Sequence, residues 1–312
     1  MKPTLWKELI ADLRAGKPEA PVRLDALGLL AAPGESREAF ADRLERLQRG
    51  TRELRGLARK VGKVQVAPGV AVRRGDAISE EICGEAWEVT EALYGVRPEW
   101  VPGFFVNERF GFLWGGCSLY DPESGLNLFI IRRNFRNRKR WFCYHRTELM
   151  AHELCHAARQ ALDDWRFEEY FAYRTARSPL RRYLGNCFVR SCDAWGFLLP
   201  VLLLPVMQVL EVCHLWRGPV WPFWILALLY PVFLLIRNGA ARKLVDRAEK
   251  NLRKAGFAAP WPLLFRLTAP EIRAVARAEE PSAVLNEWCG EEPRGIALRH
   301  WLKQARNREE KA

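Results

Sequence analysis

The sequence predicts an α+β protein with helical N- and C-terminal regions and a two-helix transmembrane hairpin. Three observations predict it. Helical periodicity with capping signals dominates both ends of the chain, and apolar–polar alternation broken by turn residues runs from 101 to 131. Between 194 and 236 lie two uncharged apolar runs separated by a short connector. Four regions follow: a helical module (1–64), a mixed region (65–192), the hairpin (193–238) and a helical tail (239–312).

In the first region Ser36 is the candidate N-cap of an amphipathic helix, REAFADRLERLQRGTRELRGLARK. KVQVAPGVAVRRGDAI alternates around turn signals and reads as short strands, and Ser79–Leu93 reads as a helix ending near Gly95. VPGFFVNERF, FLWGGCSLY and LNLFII read as strands, the last pair joined by the turn Asp121-Pro-Glu-Ser-Gly125. A basic loop, RRNFRNRKR (132–140), precedes a helix expected from Tyr144 to Leu162. After the short loop 163–165 comes a second helix, FEEYFAYRTAR, with Pro179 expected to mark its end. The tail alternates helical stretches with Pro/Gly breaks, beginning with ARKLVDRAEKNLRKAGF and ending with GIALRHWLKQARNREEKA.

Ala194–Leu210 and Val220–Ile236 contain no charge, and at 17 residues each they sit at the lower limit for crossing a bilayer. Trp195, Trp216, Trp221 and Trp224 lie near their ends, as interfacial aromatics do. Pro200, Pro205 and Pro231 are better tolerated in membrane helices than in soluble ones. Arg181, Arg182 and Arg190 precede the first run, and Arg237, Arg242, Lys243 and Arg247 follow the second. The connector region holds Glu211, His214 and Arg217. The positive-inside bias places both long flanks, and both termini, in the cytoplasm, in a two-span protein of a bacterial-type inner membrane. Glu211 is expected to snorkel to the interface.

The 312 residues carry a net charge of +12. That points to nucleic acid or an anionic membrane surface. Ordinary Gly and Pro content and 49% hydrophobic residues exclude collagen-like and wholly disordered classes. Residues 132–190 hold fourteen Lys/Arg against six Asp/Glu, so most of the excess (+8) lies in the flank before the first apolar run. The charge therefore reads as a membrane flank, and no nucleic-acid partner is expected. The eight cysteines include no C-x-x-C pair, so no cysteine zinc knuckle is expected. The N-terminus has no apolar signal region, and the cysteines are expected to be free cytoplasmic thiols.

His152-Glu153-Leu154-Cys155-His156 is an H-E-x-x-H sequence on a stretch, TELMAHELCHAARQAL, that contains no Pro or Gly. Residues i and i+4 share one helix face, so both imidazoles can reach one metal ion. Glu153 lies one residue along, placed to take a proton from water activated by the metal. A third protein ligand is needed, and Glu168 and Glu169 on the following helix are the nearest candidates. Glu169-Tyr170-Phe171-Ala172 has the form E-x-x-A.

HELCH followed by this glutamate helix resembles the gluzincin group of zinc metallopeptidases. The resemblance spans roughly 101–177, about a quarter of the chain. It implies a small mixed sheet packed on the H-E-x-x-H helix and the glutamate helix. It also implies zinc held by His152, His156 and Glu169, and Glu153 as catalytic base. The spacing from His156 to Glu169 is short for the group and suits compact members, so Glu168 stands as a rival ligand, and the glutamate that does not ligate is free to orient a ligand or to pair with Arg159. LNLFII is the candidate edge strand for binding substrate in extended form, with an interior place in the sheet as the equal alternative. Tyr144, His145, Tyr170 and Tyr173 are candidates for stabilising an oxyanion. The expected function is hydrolysis of peptide bonds in a protein or peptide substrate, at a site facing the cytoplasm close to the bilayer. The alternative is a membrane-anchored metal-binding scaffold or sensor that does not cleave.

Overall fold

The structure is a computed structural model that describes residues 3–107 and 114–307. Three helices open it: α1 (Pro3–Arg14), α2 (Glu19–Ala26) and α3 (Arg37–Lys60). Ser36 caps α3, its hydroxyl accepting from the Ala39 N–H at 3.2 Å, and the stripe Phe40, Leu44, Leu47, Leu54 is buried. β1 (Lys63–Ala67) and β2 (Val70–Arg73) form an antiparallel hairpin. α4 (Glu80–Tyr94) is capped by Ser79 and stopped by Gly95, whose φ of 66° suits glycine. A side chain there would also strike the Trp301 ring.

The principal sheet contains β3 (Gly103–Val106), β4 (Gly116–Tyr120) and β5 (Asn127–Arg132) in the order β3-β5-β4. β5 runs parallel to β3 and antiparallel to β4. Residues 108–113, at the facing ends of the first two expected strands, lie outside the described residues. So do 308–312, at the end of the expected C-terminal helix. The Asp121 carboxylate organises the β4–β5 turn, accepting from the Glu123 N–H and the Ser124 hydroxyl.

LNLFII is the centre of this sheet and not its edge. Asn127–Ile131 are all buried, and a continuous apolar run of that kind belongs to a strand paired on both sides and covered on both faces. The edge beside the candidate site is β4.

The basic stretch forms a 3-10 turn (Arg133–Phe135) and a two-residue ladder, β6 (Arg140–Trp141) with β7 (Tyr144–His145). Part of its charge is used inside the chain. Lys139 pairs with Glu85 at 3.0 Å, and Arg132 stacks over Trp141 at 4.1 Å. The next helix, α5 (Arg146–Arg159), is shorter than expected, flanked by β7 and by a 3-10 turn (Gln160–Leu162). α6 (Glu168–Tyr173) follows. It ends before Pro179, which instead opens α7 (Pro179–Leu184), with Ser178 as its N-cap. Ser-Pro is an N-cap followed by the first helical position, where proline's missing N–H costs nothing.

α8 (Ser191–Val212) and α9 (Trp221–Lys254) are both long and apolar enough to cross a membrane. Their large apolar side chains, Leu199, Leu202, Val209, Leu228 and Ile236 among them, are exposed, an apolar surface of the kind that marks a membrane or partner contact. Glu211 is exposed at the end of α8. Asp193 in the first turn of α8 accepts two hydrogen bonds from Arg237 of α9, at 2.9 and 2.6 Å, and one from the Tyr230 hydroxyl at 3.1 Å.

α9 does not stop where its apolar run ends. It continues to Lys254 and carries Ala241, Val245, Ala248 and Leu252 into a core shared with α10 (Pro260–Phe265), α11 (Ala269–Arg277), α12 (Pro281–Glu287) and α13 (Pro293–Asn307). That core also contains Leu30, Tyr94, Cys155 and Phe171. A second core packs α1–α4 against Phe129 and Ile131 of β5 and against Met150 and Leu154 of α5. α5 therefore lies between the two cores. All eight cysteines are free.

Arg266 ties the first core together. It is 2% exposed, donates to Asp25, to the Tyr94 and Pro262 carbonyls, and lies 3.9 Å over the Trp301 ring. Arg266→Ala leaves the buried Asp25 carboxylate without its counter-ion, holding the Trp301 indole N–H, and takes a donor from two carbonyls, so an unfolding free energy lower by about 3–5 kcal/mol is expected. Chemical denaturation in detergent measures it. A loss below about 1 kcal/mol, the scale of an exposed pair, would mean that the network contributes little.

Candidate metal centre

The α5 sequence RTELMAHELCHAAR has apolar residues on several faces because it is covered on several sides. Leu154, Cys155, Ala157 and Ala158 are buried, and His152 and His156 are the partly accessible pair on the remaining face. That face looks into a cleft of about 750 Å³ lined by Ser118, His152, Glu153, His156, Glu169 and Tyr173.

The turn after α5 explains how a short spacing suffices. Asp163 adopts the left-handed conformation (φ 47°) and ends the 3-10 turn. The Asp164 carboxylate takes Arg159 at 2.6 Å and the Arg166 N–H at 3.3 Å. Arg159 also donates to the Phe265 carbonyl and lies 4.4 Å over the Phe171 ring. The chain is thereby folded back so that α6 packs on α5. Arg159 is committed to this turn through Asp164, and of the two places expected for the second glutamate, beside a ligand or beside Arg159, Glu168 takes the one beside His156.

Three ligand-type side chains converge. His152 Nε2 and His156 Nε2 are 3.1 Å apart. Glu169 lies 3.6 Å from each of them, through Oε2 and Oε1 respectively. One ion about 2.0–2.1 Å from two tetrahedrally placed nitrogens separates them by about 3.3–3.4 Å. Two imidazole nitrogens and a carboxylate at these distances suit such an ion, and His152, His156 and Glu169 together can hold a metal. Glu168 occupies a different place. Its carboxylate is 3.2 Å from Nδ1 of His156, on the side of the ring away from His152. The Ala172 carbonyl accepts from the His152 ring. Glu168 thus holds His156 by its second nitrogen, which sets that ring's orientation and tautomer.

Burial, followed by the neighbouring His156 and Arg181, holds His152 well below the ordinary imidazole range, in the neutral form that ligates. For His156 burial opposes the charge, but the Glu168 hydrogen bond and the carboxylates of Glu169 and Glu153 outweigh it and raise the ring to about 9. Burial pushes Glu153 up to about 7, against the pull of His156 and of a hydrogen bond from the Ser118 backbone N–H. That N–H comes from β4, the edge strand of the sheet among the described residues, so this edge faces the base.

Of the four oxyanion candidates, Tyr144 and Tyr173 line the cleft. Tyr173 lies with its ring 4.5 Å from the His152 ring, and burial raises its hydroxyl to about 12. Tyr170 is buried in the core and His145 is outside the cleft lining. Two contributors were not expected from sequence. Arg181 of α7 bonds to Glu148 at 2.9 Å and lies 4.9 Å over the Tyr144 ring. The 3-10 turn after α7 places Gly185 against the Tyr173 ring, where any side chain would collide. The Ser178-Pro179 pair was the one sequence signal for this wall.

No protein-family model, curated protein or solved structure matches the chain.

Proposed function

We propose that this protein is a membrane-anchored zinc peptidase. The observation that carries the reading is the convergence of His152, His156 and Glu169 beside the carboxylate of Glu153, in a cleft bordered by β4, the edge strand among the described residues. Zinc suits a two-histidine, one-carboxylate set, and when bound it polarises a carbonyl and brings water's pKa towards neutrality. The chain's own residues do the rest. Glu153 takes a proton from the attacking water and returns it to the leaving amine. The Ser118 N–H fixes the direction of that carboxylate. Tyr173 and Tyr144 offer hydroxyls to the oxyanion. The outer edge of β4 offers unpaired backbone groups to a peptide in extended form. Glu168 and the Ala172 carbonyl keep the imidazoles aimed. α8 and α9 anchor the protein, and the arginines before and after them favour both long flanks in the cytoplasm.

The test is purified protein in detergent, assayed for metal content and for cleavage of a diverse peptide library. One zinc per chain is expected, with cleavage lost on chelation and restored by zinc. Stoichiometric zinc with no cleavage of any peptide would favour the non-cleaving scaffold. For topology, a reporter fused after Ala312 should be active on the cytoplasmic side, and activity outside would overturn the hairpin arrangement.

A further inference from the structure

We propose that α7, the 3-10 turn Gly185–Cys187 and Phe188 form a wall of the cleft that lies in the membrane interface, and that the substrates are polypeptide segments held at the bilayer surface. The proposal rests on the peptidase reading and adds the substrate class and its route of entry.

The wall is apolar where it is accessible. Leu180, Tyr183, Leu184 and Phe188 are 65%, 42%, 41% and 45% exposed. Within the six-residue α7, positions 180 and 184 are one turn apart on one face, and the segment turns Asn186 and Cys187 inward instead. Four large apolar side chains exposed within nine residues mark an interaction surface.

What covers that surface follows from where the segment is tied. Arg237 is the first charge after the apolar run of α9, and it donates to the Cys187 carbonyl at 2.7 Å. Asn238, next in sequence, donates to the Tyr183 carbonyl at 2.7 Å and accepts from Asn186 at 3.2 Å. Arg242 donates to the Arg182 carbonyl. The segment is therefore pinned at the level where the second span leaves the apolar phase. It is also continuous with the first span, since the Phe188 ring meets Phe197 of α8 edge-on at 5.8 Å. Beside it Trp165 is half-exposed under Arg190, at 3.8 Å, an aromatic–cation pair of the kind found at lipid headgroups. A lipid surface fits an apolar face ringed by arginine and tryptophan at this depth.

Leu180, Leu184 and Phe188 also line the cleft that contains His152 and Glu153. One wall of the cleft is thus a membrane-facing surface. A polypeptide lying at the bilayer surface reaches the β4 edge along it without first leaving the interface. The favoured substrates have their scissile bond a few residues from a membrane span or within an interfacial amphipathic stretch.

Full-length protein in nanodiscs containing phosphatidylglycerol tests the wall directly. Benzoylphenylalanine replacing Leu184 should give lipid adducts on irradiation, and the same residue replacing Glu45 on α3 should give none. Absence of lipid adducts at 184 overturns the proposal whatever the enzyme cleaves. Cleavage is then compared for one scissile sequence, presented either beside a transmembrane anchor in the same vesicle or free in solution. The anchored form is expected to be cut about 100-fold more efficiently, through its effective concentration. Leu180→Glu with Leu184→Glu keeps the hairpin anchor, so it should lower anchored cleavage about tenfold more than free cleavage. Equal loss on both substrates overturns the substrate class. Lipid adducts without cleavage of either substrate would instead remove the peptidase reading on which that class depends.

Discussion

Glu153→Gln is expected to abolish peptide hydrolysis while leaving one metal ion bound per chain. Glutamine has nearly the same shape, and its side-chain oxygen can still accept from the Ser118 N–H, so the helix and the cleft should persist. It cannot accept a proton from water or pass one to the leaving amine. General acid–base catalysis by a positioned carboxylate contributes about 100- to 10,000-fold, and the loss should appear in kcat with KM little changed. Metal is retained because the three converging donors are His152, His156 and Glu169, and Glu153 is not among them. Metal analysis and peptide kinetics on the same preparation check both halves. A variant as fast as wild type would remove Glu153 from the chemistry. A variant that loses its metal would mean that Glu153 helps to hold the ion.

The second large effect separates the two adjacent glutamates. Glu168→Ala should lower zinc affinity about 10- to 100-fold, the usual cost of losing a group that orients a ligating histidine. Glu169→Ala removes the carboxylate that faces both Nε2 atoms and should lower affinity further, to the point where the purified variant carries little metal. The distinction follows from position: Glu168 sits at the far nitrogen of His156, and Glu169 sits where both rings point. Competition against a chelator of known affinity measures both variants. Full zinc in Glu169→Ala with loss in Glu168→Ala would exchange the two roles. Circular dichroism should show both variants folded, since each glutamate retains some solvent exposure.

Much of the architecture was legible because it rests on local rules. Ser36 announced its helix through a side-chain oxygen able to cap it, and Gly95 announced a stop through its tolerance of positive φ. The two uncharged runs became the two long outward-facing helices because nothing but length and composition decides such a segment. The errors came where a neighbour decides. LNLFII has the composition of a buried strand, yet whether it has one partner or two depends on β3 and β4. Pro179 was read as a stop because a proline breaks the helix behind it, but Ser178 made it a start. The helix after Asp163–Trp165 was expected to run further, but it ends at Tyr173, where Thr175 turns to bond the Ala172 and Glu148 carbonyls.

The sequence by itself determined the two imidazoles on one helix face, the carboxylate beside them and the apolar hairpin. Helical periodicity and hydropathy act over a few residues or along one segment, and they need no partner to be read. Only the tertiary structure decided which glutamate faces the histidines and which strand edge borders the cleft. It alone brought the α7 segment against Tyr173 at the foot of α8 and α9. Those choices depend on the Arg159–Asp164 turn folding α6 back onto α5, and on Arg237 and Asn238 pinning α7 to α9. The pairs that pin α7 are about 50 residues apart in sequence, so no local pattern encodes their meeting.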